Sequence, residues 1–124
     1  MSIIPGTTPT LTLALDTSVA GCTAAEFCLL CENVRILRSL PELSISADGM
    51  EVSVRLTQSE TLTLPDNRIA KVQLRVMLGG TVFATDVLAV PTKELLHREV
   101  IQGDADLYYL HYYLSEVFRN GDNF

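Results

Sequence analysis

Between Thr10 and Val90 the chain repeatedly alternates apolar and polar residues with a period of two, and turn-forming residues separate the repeats. Side chains project to opposite faces of an extended chain in turn, so such a sequence presents one wettable and one buriable face per segment. Residues 10–15 read Thr-Leu-Thr-Leu-Ala-Leu and place Leu11, Leu13 and Leu15 on one face. Residues 24–31 are more uniformly apolar, as expected of a strand in mid-sheet, and Glu32-Asn33 predicts a turn into a partner strand over residues 34–37. A third run, residues 43–46, leads through Asp48-Gly49 into residues 50–56, where Met50, Val52, Val54 and Leu56 alternate with Glu51, Ser53 and Arg55.

The last hairpin is the most sharply marked. Val72, Leu74, Val76 and Leu78 point inward along residues 71–78, and Gly79-Gly80 turns the chain into a single strand over residues 81–90. Between the hairpins, Thr57 and Glu60 have capping-box spacing, which predicts one helical turn. About seven short strands with this spacing predict a mainly β domain, an immunoglobulin-like antiparallel β-sandwich over residues 1–101. The chain has no Trp and so lacks the Cys, Trp and Cys markers of true immunoglobulin domains.

After Pro91 the texture changes. Residues 92–101 are charged and compatible with a helix; Gln102-Gly103-Asp104 interrupts them. Residues 102–124 form an expected helical appendage, its helix spanning residues 107–119 with Asp104 as N-cap and Asn120-Gly121 as stop. Leu107, Leu110, Leu114, Val117 and Phe118 fall in one stripe, while Tyr108, Tyr109 and Tyr112 spread over other faces. Two readings stand: a helix folded back on its own sandwich, or a docking helix. In the second, Tyr108, Tyr109, His111, Tyr112, Tyr113 and Phe118 are the interface residues, because Tyr offers a large contact area with a polar tip.

Apolar residues make up 48% of the 124 and charged residues 19%, enough for a folded core and too few charges for a disordered body. A net charge of −6 with nine scattered Lys and Arg argues against direct nucleic-acid binding. The acidity serves solubility or, alternatively, mimics DNA in a basic groove. With no apolar run of membrane-spanning length and no leader-like start, a cytoplasmic protein with no membrane partner is expected. Its three cysteines, Cys22, Cys28 and Cys31, are expected as thiols.

Little in the sequence suggests chemistry. Cys28 and Cys31 form a C-x-x-C without a second pair, and in a strand they point to opposite faces. Glu94 and His97 would share a helix face near Glu99, but such pairs are common on solvated helices, and His111 gives no third ligand. No nucleophile motif or phosphate-binding loop is present. The expectation is a protein with no catalytic centre, metal or cofactor.

Three stretches carry a family resemblance: Ile4-Pro5-Gly6-Thr7-Thr8-Pro9-Thr10, then Val54-Arg55-Leu56-Thr57-Gln58-Ser59-Glu60-Thr61-Leu62, then Val72-Gln73-Leu74-Arg75-Val76 through Ala84-Thr85-Asp86. Together, across residues 3–101, they resemble a group of small, largely uncharacterised β-sandwich proteins from phages and prophages of Gram-positive gut bacteria. The resemblance implies a tail, neck or baseplate accessory protein that acts by protein–protein binding, as a homo-oligomer or with other virion proteins. The final segment, residues 102–124, departs from that pattern. A phage-encoded anti-CRISPR-like inhibitor of a host defence nuclease is the alternative the same setting permits. A carbohydrate-binding sandwich is weaker, since no Trp is available for stacking on sugars.

Overall fold

A computed structural model describes residues 1–101 as two antiparallel sheets. Eight strands follow in chain order: β1 (Thr10–Ala14), β2 (Ala24–Cys31), β3 (Val34–Ser39), β4 (Ser44–Ile45), β5 (Glu51–Arg55), β6 (Ile69–Leu78), β7 (Thr81–Ala84) and β8 (Leu88–Pro91), with a short helix α1 (Gln58–Leu62) between β5 and β6. One sheet has the order β1-β5-β4. The other has the order β3-β2-β6, with β7 and β8 sharing the far edge of β6. Alternation decides the burial: Leu11 and Leu13, Val52 and Val54, Phe27, Leu29 and Cys31, and Ala70 through Val76 at every second position form one buried cluster. The appendage expected over residues 102–124, including Tyr108, Tyr109, His111, Tyr112, Tyr113 and Phe118, lies outside the described residues.

Local chemistry explains the turns. Gly79 and Gly80 both have positive φ, 61° and 83°, as a two-residue turn matched to the strand twist requires. At Asp48-Gly49 the carboxylate accepts from the Ser46 hydroxyl (2.7 Å) and the Met50 amide (3.0 Å), and these bonds hold the Asp48 carboxyl below its usual range. The Thr57–Glu60 capping box is present, each side chain accepting from the other residue's amide.

Two expectations change. The strand predicted over residues 81–90 is split into β7 and β8: between them β6 contributes Gln73 and Leu74 while the opposing chain contributes Thr85, Asp86 and Val87. The extra residue is a bulge, and the Thr85 side chain repairs the ladder, its Oγ1 accepting from the Leu74 amide at 3.1 Å. The second change is residues 92–101, which are not helical. They run back along α1, where side chains satisfy their backbone: Asp66 accepts from the Leu95 amide (3.2 Å), and the Gln58 amide group bonds both the N–H and the C=O of Ile101. Arg98 completes the attachment through Asp66 and the Leu62 carbonyl (2.9 Å).

The N-terminal segment ties the two sheets together. Ile3 is fully buried and pairs with the end of β8 (Ile3 N to Pro91 O, 2.9 Å), after which the chain crosses to β1 in the other sheet. Thr61 of α1 holds that crossing: its hydroxyl donates to the Thr7 carbonyl (2.7 Å) and accepts from the Gly6 amide (2.9 Å), with no exposure to solvent. Thr61→Val keeps the shape but strands two backbone groups, so it should destabilise the fold by about 1–3 kcal/mol in urea unfolding.

A second clamp is charged. Arg38 occupies an inward position of β3 opposite Phe27, with its side chain only 12% exposed. It reaches Glu60 of α1 at 2.5 Å and the Arg55 carbonyl at 3.4 Å, so an otherwise costly buried cation is paired and bonded. Arg38, aided by the Thr57 amide, pulls the Glu60 carboxyl down to about 2. A carboxylate whose pKa is depressed by folding stabilises fully above its unfolded value, about 4.3, and loses that contribution as pH falls toward the folded value. Glu60→Gln keeps an acceptor for the Thr57 amide. The gap in urea midpoint between wild type and Glu60→Gln should therefore be widest near neutral pH and should close between about pH 5 and pH 2.

Candidate functional site

The two sheets do not cover each other equally along the side where β1 faces β7 and β8. The lower part of this seam is closed by Ile3 and the crossing segment, which includes the fully buried Pro5. Its upper part is open. There Leu13, Ala14 and Leu15 stand opposite Ala84, Thr85 and Leu88 across a groove. The groove continues into a cleft of about 200 Å³ whose apolar walls include Leu15, Val19, Leu74, Val76 and Phe83.

The bulge creates this surface. Phe83 pairs with Val76 and Leu88 with Val72, both partners being buried and inward-facing. Five positions apart on a regular strand, Phe83 and Leu88 would lie on opposite faces; the extra residue brings both to the inner face. Yet Phe83 is 51% and Leu88 44% exposed, because among the described residues no strand of the other sheet extends over them. The inner face of β7 is therefore a core-type surface that the described residues leave uncovered.

The opposite wall is the loop after β1, held by the β4–β5 turn. Ser18 Oγ donates to the Asp48 carbonyl (2.7 Å) and the Val19 amide to the Gly49 carbonyl (2.9 Å). Gly49 is needed here for more than its φ of 73°: a Cβ would sit 2.4 Å from the Ala20 backbone nitrogen. Acidic groups mark the opening, Asp16 on the cleft wall and Asp86 on the groove, and among the described residues no Lys or Arg lines either.

Elsewhere the reactive groups are occupied or dispersed. Cys31 is buried, which pushes its thiol pKa up, while Cys28 lies half-buried on the outer face of the sheet; all three cysteines are free thiols. Glu94 and His97 share no helix face, and His97 meets Glu99 at 3.6 Å in a solvated contact. Among the described residues no group of three or more His, Cys, Asp and Glu could hold a metal ion, and no helix is long and apolar enough to cross a membrane.

The interface residues predicted from sequence, Tyr108, Tyr109, His111, Tyr112, Tyr113 and Phe118, lie outside the described residues. Phe83, Leu88 and Val19 are the residues that sequence reasoning missed. The one signal was the polar Thr85-Asp86 pair interrupting an otherwise apolar strand. Comparison with protein-family models and with curated proteins finds no match for this chain.

Removing a side chain that solvent already reaches should cost little. Phe83→Ala should lower stability by under about 2 kcal/mol, whereas Phe27→Ala, in the closed core, should cost about 3–5 kcal/mol in the same urea titration.

Proposed function

We propose that this chain is a non-catalytic binding module of a phage or prophage particle, an immunoglobulin-like sandwich that engages another virion protein through its open seam. The observation that carries the binding role is the half-exposed pair Phe83 and Leu88, aligned by the bulge on a face that elsewhere forms the core. Monomeric proteins seldom leave core-type aromatic and aliphatic side chains gathered at one open edge unless something covers them. The particle setting is supported by the resemblance of residues 3–101 to small phage and prophage proteins, and places the chain in the host cytoplasm before assembly into the virion. The sparse, scattered basic residues favour protein over nucleic acid as partner.

Particles purified from a producing strain should contain the wild-type chain, bound to tail, neck or baseplate proteins. Phe83→Asp should reduce incorporation by at least about tenfold while leaving the circular dichroism spectrum unchanged, as expected for a charge placed in the middle of a contact patch. Absence of the chain from particles, with a host nuclease recovered instead, would overturn the particle role in favour of anti-defence inhibition.

A further inference from the structure

Five strands form the edges of the two sheets, and they are not equivalent. β4 has only two residues, β3 carries Arg35 and Arg38, and β8 ends in Pro91 with Ile3 laid against it. Short length, charge, proline and a covering segment are the usual devices that stop an edge from recruiting another strand. Among the described residues β1 (Thr-Leu-Thr-Leu-Ala) and β7 (Thr-Val-Phe-Ala) have no charge, no proline and no covering segment. These two undefended edges face each other across the open seam. Alternate residues of β7 direct their backbone groups away from β6, where a further strand could pair.

We propose that the seam takes an extended peptide segment of the partner protein, added as a strand along β7, with a bulky apolar side chain in the cleft and Lys or Arg two residues to either side. This rests on the reading that the seam binds another protein. A strand along β7 sends every second side chain toward Val76 and Phe83, into the cleft. The cleft, about 200 Å³, has room for one bulky side chain, and the adjoining groove of about 430 Å³ leaves space for the rest of an extended segment. Backbone pairing supplies affinity in this mode and the pocket supplies selectivity. The bulge at Thr85 confines regular pairing to residues 81–84.

Charge selects among the possible occupants. Asp16 and Asp86 flank the opening, neither has an ion-pair partner among the described residues, and the chain carries a net charge of −6. A second copy docked seam to seam would bring four carboxylates together. A basic segment is attracted by the same groups, and its residues at positions i−2 and i+2 share the face of the apolar anchor.

The probe is the capped heptapeptide Thr-Lys-Thr-Leu-Thr-Lys-Thr, titrated into the isotope-labelled full chain by NMR, beside the same peptide with Glu for Lys and with Asp for Leu. The lysine peptide should shift amides in residues 81–84 and 16–19 and bind at least about tenfold more tightly than either control. Asp16→Asn combined with Asp86→Asn should remove most of the preference over the glutamate peptide, and N-methylation of the peptide backbone should abolish binding. No saturable shift at millimolar peptide, equal binding of lysine and glutamate peptides, or a concentration-dependent dimer that shifts residues 81–84 without peptide would each overturn the strand-addition proposal. If Phe83→Asp still blocks incorporation into particles under any of those outcomes, the seam remains a binding surface of another kind. If it does not, both readings fall.

Discussion

The architecture depends on β6, the ten-residue strand that pairs with β2 on one side and with β7 and β8 on the other. Its inward residues Ala70, Val72, Leu74 and Val76 form the floor on which Phe27 and Leu29 lie beside them and Leu13, Val52 and Val54 close from the second sheet. Burial of this cluster is the main favourable term available to a chain of this size, since hydrogen bonds largely exchange with water. A two-layer core works only where both layers are present. The five-stranded sheet is wider than its three-stranded cover, so the margin along β7 stays open.

Polar clamps compensate for the modest cover. Thr61 fastens the N-terminal crossing to α1, and Thr92 does the same between β8 and the approach to β6, its hydroxyl donating to the Pro65 carbonyl and accepting from the Arg68 amide. Arg38 joins the wider sheet to α1 and to the end of β5. All three sit at ends or edges, where strand ladders stop and backbone groups would otherwise be left without partners. The open seam is the stretch without such a clamp, and there the edges of β1 and β7 also lack the charges and prolines that protect the others.

Much of this was legible in residue order. Alternation marked the inward residues of β1, β5 and β6, the Gly79-Gly80 turn fixed the last hairpin, and Thr57 with Glu60 announced α1. The bulge was not, because the Thr85-Asp86 pair is the one break in a strand-like stretch from Thr81 through Val90 and only the register against β6 reveals the extra residue. Residues 92–101 misled for a related reason: their composition tolerates a helix, but Asp66 and Gln58, distant in sequence, offer their backbone an extended route.

The sequence by itself determined which face of each strand is buried, where the hairpins turn and the acidic balance of the chain, because these follow from side-chain polarity and local backbone preference. Only the tertiary structure decided which of those apolar residues are covered. Phe83 and Leu88 have the chemistry of core residues, and they become a candidate binding site solely because the opposing sheet stops short of them. Burial depends on what another part of the chain places overhead, and period-two alternation carries no information about that distance.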